Sequence, residues 1–222
     1  MTTPLRVSST YEQLQPLGGT WERRNGMPAL VALPGEADNT RLGLADLSFL
    51  TRFGVKGPGA AAWLATQGVS VSDRPNTWVA LPGGGLVARL GMTEFLVEDS
   101  LESQIAPRLQ LASRQPPERV YPVLRQDLAI GLYGEAVNEL LLETCNINFQ
   151  ALNLTEYPVV LTTMVGVGVT VLPGERAGLP YYRLWCDSTF GSYFWQTLSD
   201  IARELGGGVV GSDFILQRTR EV

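Results

Sequence analysis

The chain has 222 residues, 45% of them hydrophobic and 18% charged, with a formal net charge of −5 at pH 7. That balance belongs to a globular chain long enough for one sizeable domain or two small interlocked ones, and it lacks the basic footprint of a nucleic-acid binder. The sequence contains no histidine, which excludes Ser-His-Asp and Cys-His catalysis and HExxH metal sites.

In chain order, residues 1–41 mix Pro, Gly, Thr and charge with short apolar bursts. They predict an extended arm with a single strand at 29–33, stopped by Pro34-Gly35. The start lacks the basic and apolar regions of a signal peptide, and no apolar run approaches the ~20 residues of a membrane helix. The expected location is the cytoplasm, with neither a membrane nor a nucleic acid as partner.

From Leu42 the pattern becomes regular. Arg52–Lys56 reads as a strand, Gly57-Pro58-Gly59 as a turn, and about 59–66 as a helix. Strands are expected at 78–81, 86–90 and 95–98. A helix follows in which Leu101, Ile105 and Leu109 recur every fourth residue, with Ser100 as its N-cap. Strands at 120–124 and 128–133 lead to a helix at about 135–144. Residues 161–172 alternate Val with Gly and Thr and read as one half-buried strand. Its hairpin partner is 181–187, across a Pro/Gly loop. Ser188 is expected to cap a last helix, ended by Gly206-Gly207-Gly208. Strands therefore come in groups with helices between them, which predicts an α+β class of antiparallel sheets with helices on one face.

The Gly57-Pro58-Gly59 turn raises the question of a phosphate cradle. Pro58 removes one of the backbone N–H groups such a cradle needs, Lys56 precedes the glycines where a Walker lysine follows them, and Asp73 lies in a polar loop. Residues 130–141 repeat the pattern of 53–64, with Gly134 matching Gly57 while Gly59 has no counterpart. The spacing therefore predicts two equivalent strand-to-helix turns at Gly57, Pro58, Gly59 and at Gly134, with a nucleotide site as the competing reading.

Cys145 and Cys186 are far apart and predict reduced, buried thiols; two thiols without histidine do not make a zinc site. No catalytic residue and no metal ligand are identified. An aromatic cluster, Tyr181, Tyr182, Trp185, Tyr193, Phe194 and Trp195, is either core or an assembly surface.

The segment "LGLADLSFLTRFGVKGPGAAAWL" resembles the opening signature of the aminomethyltransferase superfamily, the T-protein of the glycine cleavage system. Ala45-Asp46-Leu47-Ser48 and Gly57-Pro58-Gly59-Ala60 hold its motif positions. "LYGEAVNELLLETCNINF" and "YYRLWCDSTFGSYFWQTLSDIARELG" are more similar to the gamma subunit of heterotetrameric sarcosine oxidase and to the gamma-like subunit of N-methylglutamate dehydrogenase. The resemblance covers about residues 42–211. It implies a T-protein-like fold at 42–222 of two intertwined modules, one of about 42–75 plus 120–222 and an inserted one of 76–119. It also implies a complex whose alpha, beta and delta-type subunits carry FAD, FMN, NAD, zinc and tetrahydrofolate, while this chain alone need bind none. In the T-protein a Gly-Gly segment carries a catalytic acidic pair; the matching stretch here is 83–90, with Val87 and Ala88 in the acidic places and Glu94 as the first nearby carboxylate. The expected function is a non-catalytic subunit of a flavin-dependent oxidase of N-methyl amines. The alternative is a stand-alone folate-binding aminomethyltransferase-like protein, in which Asp46, Arg52, Arg89 and Arg125 would bind the pterin or glutamate tail of tetrahydrofolate.

Overall fold

A computed structural model describes residues 6–36 and 41–217. The chain forms two compact units: one takes the described residues of Met1–Phe49, Asp127–Leu154 and Leu161–Val222, the other Leu50–Gln126 and Thr155–Val160.

In chain order the elements are α1 (Tyr11–Leu14), β1 (Thr20–Arg24), β2 (Met27–Ala32), β3 (Gly43–Asp46), β4 (Arg52–Lys56) and α2 (Ala60–Thr66). Then come β5 (Thr77–Ala80), β6 (Leu86–Arg89), β7 (Glu94–Glu98), α3 (Ile105–Ala112), β8 (Tyr121–Val123), β9 (Leu128–Tyr133) and α4 (Val137–Thr144). The last third holds β10 (Val160–Met164), β11 (Val167–Leu172), β12 (Glu175–Arg176), β13 (Leu179–Cys186), α5 (Gly191–Glu204), β14 (Gly208–Val209) and α6 (Ser212–Gln217).

The second unit is a five-stranded sheet of order β5-β6-β7-β4-β8, antiparallel throughout. Period-2 alternation sends Phe53, Val55, Val87, Phe95 and Val97 to one face, where they pack with Trp63 and Leu64 of α2 and Leu109 of α3. Each fully buried side chain of this size contributes roughly 1.5–3 kcal/mol. The first unit is built on a seven-stranded sheet with the path β10-β11-β13-β9-β3-β14, and β12 pairs with β13. All six residues of β9 are buried, as a central strand covered on both faces requires. Helices α4 and α5 pack on each other and on β13 and β3, while α6 reaches β2, β3 and β9.

The α+β class with antiparallel sheets is the observed one. The glycine repeat is also present as geometry. Gly57 and Gly134 have φ of 117° and 127°, a region that only glycine enters without strain. Each follows a strand and opens a helix, with Ala60 N donating to Gly57 O and Val137 N to Gly134 O. Two residues on, Gly59 N donates to Arg119 O and Ala136 N to Arg41 O. The strands flanking these turns match as well: β4 lies between β7 and β8, and β9 lies between β13 and β3. Although β3 precedes β4 in sequence it pairs with β9, and β8 precedes β9 yet pairs with β4.

Several expectations are corrected. The described part of residues 1–41 is no extended arm: it carries α1 and the β1–β2 hairpin, and Leu14, Met27 and Leu30 are buried. Residues 1–5 and 37–40 of that segment lie outside the described residues. The strand expected at 161–172 is two, turned at Val165-Gly166, with φ of 43° and 84°. The helix after residue 100 starts at Ile105. Pro107 explains this: it is tolerated in a first turn, whereas a start at Leu101 would leave it in the helix interior without its hydrogen bond. Ser100 instead accepts from Glu102 N and Ser103 N, and the buried carboxylate of Asp99 receives Ile105 N and Ala106 N of α3. The last helix is approached through a 3-10 turn, Ser188–Phe190, whose cap is Asp187 in place of Ser188. The expected stop holds, since α5 ends at Glu204 and Gly206 has a φ of 78°.

Candidate functional site

The polar groups of the five-stranded sheet lie mainly on the face opposite its apolar core. Arg52 on β4 and Glu98 on β7 are cross-strand neighbours. Arg52 Nη1 donates to Glu98 Oε2 at 3.1 Å, with side-chain exposures of 1% and 0%. Next to Glu98, Asp99 accepts from Thr51 Oγ1 and Ser103 Oγ as well as from α3. On the same strand as Arg52, Gly54 has no side chain, and a Cβ there would lie 2.8 Å from Arg125 Nε. Arg125 therefore crosses β4 over Gly54, and its Nη2 donates to Glu94 Oε1 on β7 at 2.8 Å.

Arg89 is held differently. Its guanidinium donates to four backbone carbonyls, those of Ser72, Asp73, Gly91 and Met92, and lies over the Phe95 ring at 5.5 Å. It clasps two loops to the sheet. Val87 and Ala88 are 1% and 0% exposed, so the positions that the resemblance assigns to an acidic pair carry buried apolar groups. Trp78, across from Ala88, packs edge-on to Tyr157 at 5.2 Å. Its buried indole N–H has no partner among the described residues.

Asp46 belongs to the other unit. Thr10 Oγ1 and Ser48 N donate to its carboxylate, and it lines a small pocket with Ser8, Tyr11, Trp21, Met27 and Phe49. The structure thus brings Arg52, Arg89 and Arg125 onto one sheet, and sets each of the four sequence candidates in internal hydrogen bonds. Sequence reasoning missed Glu98 and Asp99. The signal was there: Glu98 ends an otherwise apolar strand just as Arg52 begins one.

The glycine turn offers no phosphate cradle. Gly57 N donates to Thr93 O, Gly59 N to Arg119 O and Ala60 N to Gly57 O, so the amides a phosphate would need are taken. Among thiols, burial, reinforced by Asp127 and Asp187, pushes Cys186 up to about 12. It is a neutral thiol near pH 7 and not an activated nucleophile. Of the aromatic cluster, only Tyr193 is exposed; the other five are buried core residues. No group of three or more metal-ligating side chains occurs among the described residues, and no helix there is long and apolar enough to cross a membrane.

No family model matches the sequence, and no curated protein matches it. The likeness lies in the fold. Glycine cleavage system aminomethyltransferase T from Bartonella henselae superposes with a TM-score of 0.72 over 94% of this chain, at 14% identity. The match spans 60% of that enzyme's length. A chain of the heterotetrameric sarcosine oxidase from Corynebacterium sp. U-96, solved with pyrrole 2-carboxylate, superposes with a TM-score of 0.65 at 21% identity. There the match covers 94% of this chain and 100% of the other. The protein therefore has the aminomethyltransferase-like fold that these two share.

Proposed function

We propose that the chain is a non-catalytic subunit of a heteromeric, flavin-dependent oxidoreductase of the sarcosine oxidase type, acting on N-methyl amines and linked to tetrahydrofolate one-carbon metabolism. The observation that carries this reading is the extent of the match: all of a sarcosine oxidase chain, but only 60% of the aminomethyltransferase. Val87 and Ala88 support it, because buried apolar side chains cannot stabilise charge on a folate nitrogen. The inward bonds of Arg52, Arg89 and Arg125 support it too. Partners on this reading are subunits of the alpha, beta and delta types, which carry FAD, FMN and NAD, in the cytoplasm.

One observation favours a second reading, a stand-alone folate-binding aminomethyltransferase-like protein. The unpartnered indole N–H of Trp78 is a buried donor that a bound heterocycle would satisfy. Calorimetric titration of the isolated chain with tetrahydrofolate, set beside co-purification with flavoprotein subunits encoded by neighbouring genes, separates the two. The subunit reading expects a yellow co-purifying complex and no saturable folate binding. Micromolar folate binding by the isolated chain, without co-purifying flavoproteins, overturns it.

A further inference from the structure

Outside the sheet with the folate candidates, one cation stands out in the seven-stranded unit. Arg176 and Glu175 form β12, which returns into β13 through Ala177-Gly178 with φ of 50° and 76°. This tight turn folds the Arg176 side chain back over Tyr181, with its guanidinium carbon 3.6 Å from the ring centroid. Nη1 donates to the carbonyl of Ile215 in α6 at 2.9 Å. Arg183 reaches the same tyrosine from another side: its Nε donates to Tyr181 Oη at 2.6 Å, and its guanidinium carbon lies 5.8 Å from the ring centroid. Tyr181 is 9% exposed and pairs across the sheet with Tyr133, which meets Phe214 edge-on.

No carboxylate faces Arg176 among the described residues; its ionisable neighbours are Tyr181, Arg183 and Tyr133. A part-buried guanidinium beside a second cation is costly unless an anion completes it. Burial holds it below its ordinary basicity; Tyr181 opposes that and Arg183 adds to it. The aromatic stack and the Ile215 carbonyl fix the plane of the guanidinium, so the entropy of ordering a long side chain is already spent. A fixed guanidinium fork matches a planar, two-oxygen group.

From this arrangement we infer that Arg176, braced on Tyr181 and α6, is a receptor for a carboxylate, supplied either by a small organic acid or by an acidic side chain of a protein partner. The first source is independent of the subunit reading; the second rests on it.

The test uses the full chain. Thermal stability is followed in sodium acetate against sodium chloride at matched ionic strength, for the unmutated protein, Arg176→Lys and Arg176→Gln, with Tyr181 ring resonances reporting occupancy. A small-acid site gives saturable stabilisation by millimolar acetate and a shift of the Tyr181 signals. Arg176→Gln weakens both at least tenfold, and Arg176→Lys does so by less. If acetate has no effect but Arg176→Gln, unlike Arg114→Gln at an exposed site, lowers co-purification of partner subunits, the carboxylate comes from a partner. Circular dichroism on each variant identifies any that fail to fold, and Arg176→Lys then carries the comparison. Absence of both effects overturns the inference and leaves Arg176 as a brace between β12 and α6.

Discussion

The turns at Gly57 and Gly134 open two copies of one backbone design whose side chains have diverged. Aligned on these glycines, Arg52 matches Ala129, Gly54 matches Gly131 and Lys56 matches Tyr133. The partners across the sheet follow: Arg52 faces Glu98, and Ala129 faces Trp185. So a fully buried ion pair in one copy stands where the other has an alanine and an indole, 1% and 2% exposed. The paired strand glycines differ in the same sense. Arg125 passes over Gly54, whereas Leu47 and Ile215 crowd Gly131, where a Cβ would lie 3.0 Å from one and 3.2 Å from the other. What repeats is what the backbone needs: a residue of positive φ after the strand and a side-chain-free position within it. What does not repeat is polarity, which is concentrated on one copy and is where a functional difference between the copies would lie.

The largest expected effect breaks the polar member of this comparison. Glu98→Ala leaves the Arg52 guanidinium buried without that acceptor, and should cost about 3–5 kcal/mol in urea unfolding. The double change Arg52→Met with Glu98→Leu imitates the apolar copy and should recover most of the loss, because a buried pair replaced as a unit is often neutral. A double mutant as unstable as Glu98→Ala would show that the pair itself holds the sheet.

The next effect sharpens the repeat. Alanine at Gly57 meets two obstacles, the positive φ and the Arg119 carbonyl oxygen, which a Cβ would approach to 2.3 Å. Backbone strain alone is worth about 1–3 kcal/mol, and the clash adds to it. Gly134→Ala meets the same φ and should lose about that amount from strain. Equal tolerance of alanine at both sites, read from thermal melts, would contradict the equivalence of the two turns.

Much of this fold is legible in the sequence, and the exceptions have identifiable causes. Arg52–Lys56 and Leu128–Tyr133 are found at their expected bounds, because glycines punctuate apolar runs of strand length. Val165 conceals a hairpin: a β-branched residue rarely takes a φ of 43°, and the Val/Gly alternation continues through it. The turn is held by Thr144, whose carbonyl accepts from Val165 N, and by Tyr193, whose hydroxyl donates to Val165 O. Neither contact can be read from a local window. The late start of α3 was readable, since Pro107 forbids the earlier one, but the i,i+4 spacing of Leu101 and Ile105 pointed the other way. The candidate site was legible only as residue types. Arg52, Arg89 and Arg125 do share a sheet, yet their occupancy by Glu98, by four carbonyls and by Glu94 depends on strand register, which a single sequence does not supply.

The smallest effect contrasts two helix starts. In the five-stranded unit the start of α3 is held by Asp99, 1% exposed. In the other unit the approach to α5 is capped by the exposed Asp187, whose carboxylate accepts from Thr189 N and Thr189 Oγ1. The backbone hydrogen bond from Thr189, and then the one from its side chain, hold the Asp187 carboxyl below its ordinary 3.8 in the folded chain. A carboxyl lowered on folding adds stability above its unfolded pKa, and that stability is lost as pH falls through the folded value. Asp187→Asn should therefore lower the melting temperature slightly at pH 7 and leave it unchanged at a pH below the folded pKa, where the native group is protonated too. The dependence is small because solvent screens an exposed carboxylate. A loss of the same size at both pH values would show that Asp187 acts through its hydrogen bonds alone, and that its charge contributes nothing to the start of α5.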